Sequence, residues 1–471
     1  MITAFKNTIC LWTVASLWLT GLAEVSAQDT APPPGFSPSA PPEPGLSSGS
    51  LSEKKPGFLQ RYGTTASSGS NSIQGAGLED SVFDETPASP PPARLTPTVR
   101  PASNYSNGGY VPSEHPPQFV TSNVWVPRVW LKAEALCWWT KDSPLPVPLV
   151  TTGTTGIIGV PDTTVVIGNE NINLPTRGGG RFTLGFALDQ EAGWALESNY
   201  FFLGTATVSI GASADGSPVS SPLFVPYYNV ATGHEDSTYI ASPGDYAGTA
   251  VVTLQNFVQG AEANLLGNLA TSEMWRWDGL AGFRYLNLHE TMTFTTDSPN
   301  VPPHAPAYFQ TFDRFDAQNN FYGGQFGVRG SYDNTFIFVN GTARLALGGT
   351  VEGVTTSGAL YSTFGSAAGG YLTQPSNLGS TSQVQFAVIP SLDLNFGIHL
   401  GSHAALVVGY SFLYVSSVAR PGSQIDHNIN PSQSPLAFGN QPASNQASPA
   451  LVLHDNDFWL QGLTFAIDLR F

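Results

Sequence analysis

From Val129 onward, apolar and polar side chains alternate with a period of two, the pattern of β-strands with two unlike faces. The segment 383–400 shows it most clearly, with Leu394 and Phe396 on one face and Asp393 and Asn395 on the other. The alternation predicts ten strands, at residues 129–140, 181–189, 194–203, 251–266, 274–288, 321–332, 335–347, 383–400, 404–418 and in the segment that ends at Phe471.

The C-terminal segment keeps this alternation to its last residue. One face carries only large apolar side chains, Phe465, Ile467, Leu469 and Phe471. Ala466, Asp468 and Arg470 lie on the other face. A closed transmembrane β-barrel needs such an ending, because its last strand pairs with its first and leaves no edge in lipid. The alternative interpretation is an amphipathic strand of a soluble β-sandwich.

The connections between the predicted strands alternate in length. Short turns lie at 189–193, 267–273, 332–335 and 400–403. Long segments lie at 141–176, 206–249, 290–319, 351–382 and 421–456. Outer-membrane barrels have short turns on the periplasmic side and long loops outside. We therefore predict an all-β, closed antiparallel transmembrane barrel of about ten strands (10–12) over residues 123–471, with both termini in the periplasm.

Composition supports a barrel and excludes some partners. Only 11% of the residues are charged, 11% are aromatic, and the chain contains 49 glycines. After the N-terminus no run of eighteen apolar residues occurs, so a membrane-spanning chain would have to cross with strands. The net charge of −16 argues against nucleic acid as a partner, since nucleic acid requires a basic surface.

The N-terminal region has a different character. Residues 1–27 combine Lys6, an apolar core and a small-residue cleavage site, which predicts a secretory signal peptide. Residues 28–122 are rich in Pro, Ser and Gly and cannot bury enough apolar surface to fold. We interpret them as a disordered periplasmic arm that could contact peptidoglycan.

The charged residues on the inner faces are candidates to line the lumen: Lys132, Glu134, Arg276, Asp278, Arg284, Arg344, Asp393 and Arg470. They could line a conduit, or they could pair with one another and fill a narrow ten-stranded barrel, and the sequence favours neither. The tryptophans predict aromatic girdles at the lipid interfaces, formed by Trp138, Trp139, Trp275, Trp277 and Trp459.

Histidines lie beside carboxylates in three predicted outer loops, at 234–236, 426–427 and 454–455. This placement allows a hydrolase with its site at the barrel rim, but ordinary solvated loop residues are the favoured explanation, since a catalytic site requires a demonstrated mutual geometry. No His-Glu-x-x-His spacing or phosphate-binding glycine loop occurs. We therefore predict no catalytic residue, no metal and no cofactor.

Several segments resemble the putative β-barrel porin family, type 7. They are 133–139 followed by 144–151, then 320–325, 420–426 and 459–463. The resemblance covers residues 125–471 and implies an outer-membrane barrel that contacts lipid and the barrel-assembly machinery. It suggests porin-like passage of small solutes. A closed structural or adhesive surface barrel and a rim-active hydrolase remain the alternatives.

Overall fold

The computed structural model describes residues 128–189 and 193–471, so the predicted signal peptide and arm lie outside the described residues. Ten strands form the main sheet: β1 (Val129–Thr140), β4 (Arg177–Ala187), β5 (Trp194–Ala214), β8 (Gly248–Thr271), β9 (Trp275–Asp297), β10 (Phe309–Asp333), β11 (Ile337–Ser362), β13 (Gly379–His399), β14 (Ala404–Ala419) and β16 (Asp455–Arg470). The short strand β12 (Gly365–Ala368) extends the edge of this sheet beside β11. The ten predicted strands are therefore present, although their bounds differ.

The ten strands pair in a ring, and every pair is antiparallel. The pairing runs from β1 through β4, β5, β8, β9, β10, β11, β13 and β14 to β16, which pairs with β1 again. At the junction the backbone of Phe471 donates to the Val129 carbonyl oxygen at 2.8 Å and accepts from the Val129 N–H at 3.0 Å. The predicted pairing of the last strand with the first is thus present.

The strands extend further from the short turns than predicted, and these extensions correct the prediction of long loops. We call the short-turn end of the ring its lower end and the opposite end its upper end. β9 continues to Asp297 and β10 begins at Phe309, so most of the segment predicted as a loop at 290–319 is strand. The extensions of β5 to Ala214, β8 back to Gly248 and β11 to Ser362 shorten two further predicted loops. The four turns at 188–193, 272–274, 334–336 and 400–403 remain short, and both ends of the ring lie beside them.

The physical reason is that the two faces exchange polarity along each long strand. In the lower half of β9, Trp275 and Phe283 point outward and are about half exposed, whereas Arg284 points inward and is buried. In the upper half Phe294 is inward and buried, and threonines occupy the outward positions. A lower outer wall of apolar side chains suits lipid, and an upper outer wall of polar side chains suits water. The alternation continues, but its apolar face changes sides.

A second sheet of five strands lies in the segments predicted as the first, second and last long loops. Its strands are β2 (Ser143–Thr152), β3 (Thr164–Ile172), β6 (Leu223–Asn229), β7 (His234–Ala241) and β15 (Asn428–Ile429). A one-turn helix, α1 (Pro435–Phe438), follows it. We call this sheet together with residues 420–438 the head.

The head packs against the upper inner faces of the ring. Its buried side chains, such as Leu149 and Val225, share one hydrophobic core with Leu254 of β8, Phe294 of β9 and Phe315 of β10. The head therefore closes over the upper opening of the ring.

Between residues 128 and 471, with 190–192 left aside, no helix is long and apolar enough to cross a membrane.

Candidate functional site

The interior of the ring is the candidate site, and its lower part is a network of ion pairs. Lys132 contacts Glu134 at 2.9 Å and donates to the Asn395 side-chain oxygen at 3.2 Å. Arg276 contacts Asp278 at 2.8 Å. Each of these candidate side chains therefore has a partner on the same or the opposite wall.

The centre of the network joins four walls. Arg284 pairs with Glu262, and it also donates to Ser391 at 3.0 Å. Arg344 pairs with Asp393 and lies 3.6 Å from Glu262. The bonds cross from β8 and β9 to β11 and β13, so the centre of the lumen is occupied by the network itself.

Arg470 closes the network at the lower end. It contacts Asp468 at 3.0 Å and Asp333 at 3.3 Å, and its guanidinium carbon lies 4.6 Å from the ring centre of Phe338. His399 also contacts Asp333, at 2.9 Å.

Six members of the network were absent from the sequence-based lumen candidates: Arg181, Glu197, Arg329, Glu262, Asp333 and Asp468. Arg181 bonds to Glu134 and to Asp393, the latter at 2.9 Å. Glu197 accepts from Arg329 at 2.6 Å. Arg181, Glu197 and Arg329 occupy inward positions of β4, β5 and β10, so a consistent extension of the alternation to every strand would have found them.

The charges in this network balance. The positive members are Lys132, Arg181, Arg276, Arg284, Arg329, Arg344 and Arg470, and the negative ones are Glu134, Glu197, Glu262, Asp278, Asp333, Asp393 and Asp468. Seven cations face seven carboxylates, so no net charge is left to attract an ion of either sign. In a desolvated pair each charge is stabilised by its partner, so removing one partner leaves the other charge buried without compensation.

An apolar layer lies directly above the network. It is built from inward side chains of nine of the ten ring strands, and all its members are buried: Leu136, Trp138, Phe201, Leu203, Val258, Leu286, Leu288, Phe321, Ala346, Ala387, Ile389, Leu413, Val415, Val418, Phe458 and Leu460. An interior of this kind is close-packed and excludes water. Solute passage through it would require these side chains to move.

Trp138 belongs to this layer, which corrects its prediction as a girdle residue. It points inward, is 2% exposed and packs on Phe201, with ring centres 5.6 Å apart. The reason is parity, because adjacent residues of a strand face opposite sides and only Trp139 points outward. Trp275 and Trp277 lie exposed on the lower outer wall, as girdle residues would.

A void of about 20 Å³ lies where the network meets the apolar layer. Its lining includes Trp138, Arg181, Glu262 and Arg344. Its volume accommodates about one water molecule. A sugar or an amino acid is several times larger and has no room there.

A fully buried ion pair sits above the apolar layer. Arg420 and Glu290 both have side chains with 0% exposure, and the Arg420 Nη2 donates to Glu290 at 3.0 Å. Glu290 also accepts from Asn256 at 2.7 Å. The Arg420 guanidinium lies 5.2 Å from the ring centre of Phe458, a cation–π contact with the apolar layer below.

Contacts of the residues on both sides of Arg420 hold the segment 420–425 inside the ring. The preceding Ala419 is fixed by Asn319 of β10, which accepts from its N–H at 2.7 Å and donates to its carbonyl at 2.9 Å. Gly422 lies so close to the Pro144 carbonyl that a Cβ would collide with it. Gln424 accepts from the His454 N–H at 2.9 Å and donates to its carbonyl at 2.8 Å. This segment therefore folds inward as a seal.

Two of the three predicted histidine sites, 234–236 and 426–427, come together in the structure, and the third does not join them. His427 contacts Glu235 at 3.0 Å in the head, whereas His454 is held through its backbone by Gln424. Within residues 128–189 and 193–471, no group of three or more His, Cys, Asp or Glu side chains is arranged to hold a metal. His427 contacts Glu235 through Nε2, and among the described residues no serine, threonine or cysteine side chain is bonded to this histidine.

A different histidine pair lies on the polar upper outer wall. His289 of β9 contacts both carboxylate oxygens of Asp316 at 3.1 Å, and Thr291 and Arg314 donate to the same carboxylate at 2.7 and 3.1 Å. These donors hold the pKa of Asp316 down at about 2 against the opposing effect of burial. The hydrogen bond to Asp316 raises the pKa of His289. Neither residue lies in a predicted strand, because a strand is predicted to end at residue 288 and a loop is predicted at 290–319, so the alternation did not indicate this pair.

The C-terminal residues lie where the ring strands meet. Ile467 and Phe471 point outward and are exposed, and Phe465 and Leu469 share their face and are partly exposed. Asp468 points inward and is buried. The apolar face of the last strand is thus continuous with the lower outer wall.

Comparison with solved structures gives a weak likeness. The outer membrane protease OmpT from Escherichia coli is 10% identical, with 73% of this chain and 96% of that chain covered and a TM-score of 0.38. No curated protein matches the sequence significantly.

The family comparison is decisive for membership. Residues 130–471 match the model of the family described as putative beta barrel porin-7. The match covers the head and, apart from Val129, the whole ring, which is well over half of the chain. The resemblance noted from the sequence motifs is confirmed, and the chain belongs to the putative beta barrel porin-7 family.

Proposed function

We propose that this protein is an outer-membrane β-barrel with a sealed lumen that displays a folded head on the cell surface. Three layers in the interior support the seal: the balanced ion-pair network, the apolar layer and the buried Arg420–Glu290 pair. The apolar layer carries the argument, because side chains from nine strands meet there with no space for a solute.

Family membership and the outer walls support the outer-membrane location. The lower wall is apolar over a band that begins at Trp275 on β9 and ends at Tyr285, about the ten residues that a tilted strand needs to cross a bilayer. The wall above it is polar. In this arrangement the short turns lie in the periplasm and the head lies outside.

The head supports a role at the surface. Its end of the molecule carries large apolar side chains exposed to water, among them Val219, 95% exposed, and Phe364, 83% exposed. Tyr308 and Tyr361 are exposed next to Phe364, since Tyr308 accepts from Thr363 through its carbonyl. Exposed apolar side chains that lie together, such as Phe364 and Tyr308, are typical of contact surfaces. They favour a structural or adhesive barrel over an open porin.

Passage of small solutes is the second candidate, and membership in a porin family is the observation that favours it. In that case residues 420–425 and the apolar layer must rearrange together before a solute can cross. The absence of enzyme activity remains a prediction, which a peptidase and esterase screen of the purified protein would test. Contact of the arm with peptidoglycan likewise remains a prediction.

Two measurements test the proposal. Val219→Cys should react with a membrane-impermeant maleimide on intact cells, whereas Glu273→Cys in a short turn should react only after lysis. The reverse pattern would contradict the orientation. Liposomes containing the folded protein should retain a small sugar, while the same liposomes containing an open porin lose it. Efflux through the folded wild-type protein would contradict the sealed lumen.

A further inference from the structure

A trough crosses the lower outer wall between β9 and β13. It has a volume of about 350 Å³ and its lining is almost wholly apolar: Trp275, Trp277, Val328, Gly330, Tyr332, Val339, Gly341, Ala343 and Leu392. All of these residues occupy outward positions of their strands.

Two paired glycines create the trough. Gly330 of β10 lies directly opposite Gly341 of β11, so one row of the wall lacks side chains in its middle. The neighbouring row on the short-turn side is bulky, with Trp275, Tyr332 and Val339 in register. The floor is therefore about one side chain deeper than its surroundings.

The trough is not closed by the protein's own side chains. A Cβ at Gly341 would meet only the Leu394 Cδ2 atom, at 3.3 Å, which a small movement of Leu394 relieves. The Trp277 ring forms one end of the trough and lies over Gly330, 2.7 Å from where a Cβ would stand. A volume of about 350 Å³ corresponds to roughly twelve water molecules at about 30 Å³ each, too much for one side chain to fill.

We propose that this trough binds one acyl chain of a phospholipid from the periplasmic leaflet, a site that rests on the proposed outer-membrane location. The trough is continuous with the apolar band, and it reaches the short-turn end of the wall, where a headgroup would lie. There the Trp275 and Tyr332 rings contact each other with centres 5.1 Å apart and planes inclined by 59°, the position of an interfacial anchor.

The charges beside that end select the headgroup. Glu273 lies in the turn before Trp275, and Asp333 follows Tyr332 directly. Asp333 is paired with Arg470 and contacts His399, and it belongs to the balanced interior network, so it adds no net charge at this end. The exposed Glu273 carboxylate, which is not part of the balanced network, repels an anionic headgroup and attracts an ammonium group. The occupant is therefore a zwitterionic lipid with an ammonium headgroup, such as phosphatidylethanolamine.

Two glycine substitutions form a matched test on the full chain. Gly341→Ile places a side chain on the floor of the trough and obstructs it, whereas Gly324→Ile adds the same side chain elsewhere on the outer wall, where a Cβ meets nothing within 4 Å. Each protein is inserted into vesicles of phosphatidylethanolamine and phosphatidylglycerol in equal amounts. Retained lipid is then counted by native mass spectrometry after mild delipidation.

The wild type and Gly324→Ile should retain one phosphatidylethanolamine per chain, and Gly341→Ile should retain about tenfold less. Glu273→Gln should weaken the preference over phosphatidylglycerol. Equal retention by both glycine variants would overturn the site, and so would wild-type dimers that Gly341→Ile abolishes, since a second copy would then fill the trough. Failure of every variant to insert would instead contradict the outer-membrane location itself, which keeps the two failures distinct.

Discussion

Arg420 and Glu290 form an ion pair that is completely excluded from solvent and lies between two apolar layers of the interior. Arg420 follows the last residue of β14, and Glu290 is an inward residue of β9 on the opposite part of the ring. The pair therefore ties the segment that seals the ring to a distant wall. One Arg420 nitrogen, Nη1, makes no hydrogen bond, so the guanidinium depends on Glu290 for its compensation.

We expect Arg420→Met to lower the free energy of unfolding by about 3–5 kcal/mol, because it leaves the Glu290 carboxylate buried without its cation. Unfolding in detergent, followed by heat-modifiable gel mobility, measures this change. Lys141→Met is the control, since its pair with Asp457 is partly exposed and should be worth about 0–1 kcal/mol. The double variant Arg420→Met/Glu290→Gln should lose less than the sum of the single variants. Additive losses would show that the two side chains do not stabilise each other.

The exchange of polarity along the strands predicts where the outer wall tolerates charge. Phe396→Arg should cost roughly 2–4 kcal/mol if lipid surrounds the lower wall at midplane depth. Gln318→Arg lies at an outward, exposed position of the upper wall and should change stability by less than about 0.5 kcal/mol. Refolding into vesicles followed by denaturant titration compares the two. Equal effects would place lipid elsewhere.

The His289–Asp316 pair predicts a pH window for its own contribution to stability. Because its pKa is raised above 6.5, His289 contributes fully below pH 6.5, and this contribution is lost as the pH rises through the raised pKa. Because the pKa of Asp316 is lowered to about 2, its contribution is present above pH 3.8 and is lost as the pH falls toward 2. An NMR titration should find that Asp316→Asn returns the pKa of His289 toward 6.5. An unchanged histidine pKa in that variant would mean that Asp316 is not its partner in solution.

Deletion of Phe471 should prevent normal assembly. Its backbone makes both hydrogen bonds to Val129 at the junction of the ring, and their loss exposes polar backbone groups to lipid. Cell fractionation should then find the protein in the periplasm or degraded, while Phe471→Tyr, which keeps the backbone and an aromatic ring, assembles. Normal outer-membrane levels of the deletion variant would refute a role for this residue in closure or recognition.

The lower half of the ring could be predicted from the sequence because lipid imposes a strong rule on it. Outward residues there are apolar and inward residues are polar, so strands such as 383–400 show strict alternation. The ion-pair partners within the network could be predicted as inward residues, but their pairing depends on register and on bonds across the lumen. Arg344, for example, reaches Glu262 and Asp393 on two different strands.

The upper half could not be predicted by the same rule, because water replaces lipid outside and the hydrophobic core moves inside. Met292 and Phe294 then occupy the inward positions of β9, and threonines occupy the outward ones. The upper half of β9 therefore lacks the outward apolar residues of the lower half, and from the sequence it resembles a loop. The role of Arg420 was hidden for another reason: its partner Glu290 is 130 residues away and lay in a segment predicted as a loop.

Electrical conductance of the folded full-length protein in a planar lipid bilayer tests the sealed lumen most directly. Insertion is verified separately by heat-modifiable mobility, and an open porin in the same bilayer serves as the positive control. The balanced ion pairs and the apolar layer predict that the wild-type protein inserts and gives no stable conductance steps. Regular, long-lived steps of the size of the open porin's would contradict the account, because they require a water-filled path through the layer that Phe321 and Phe458 occupy.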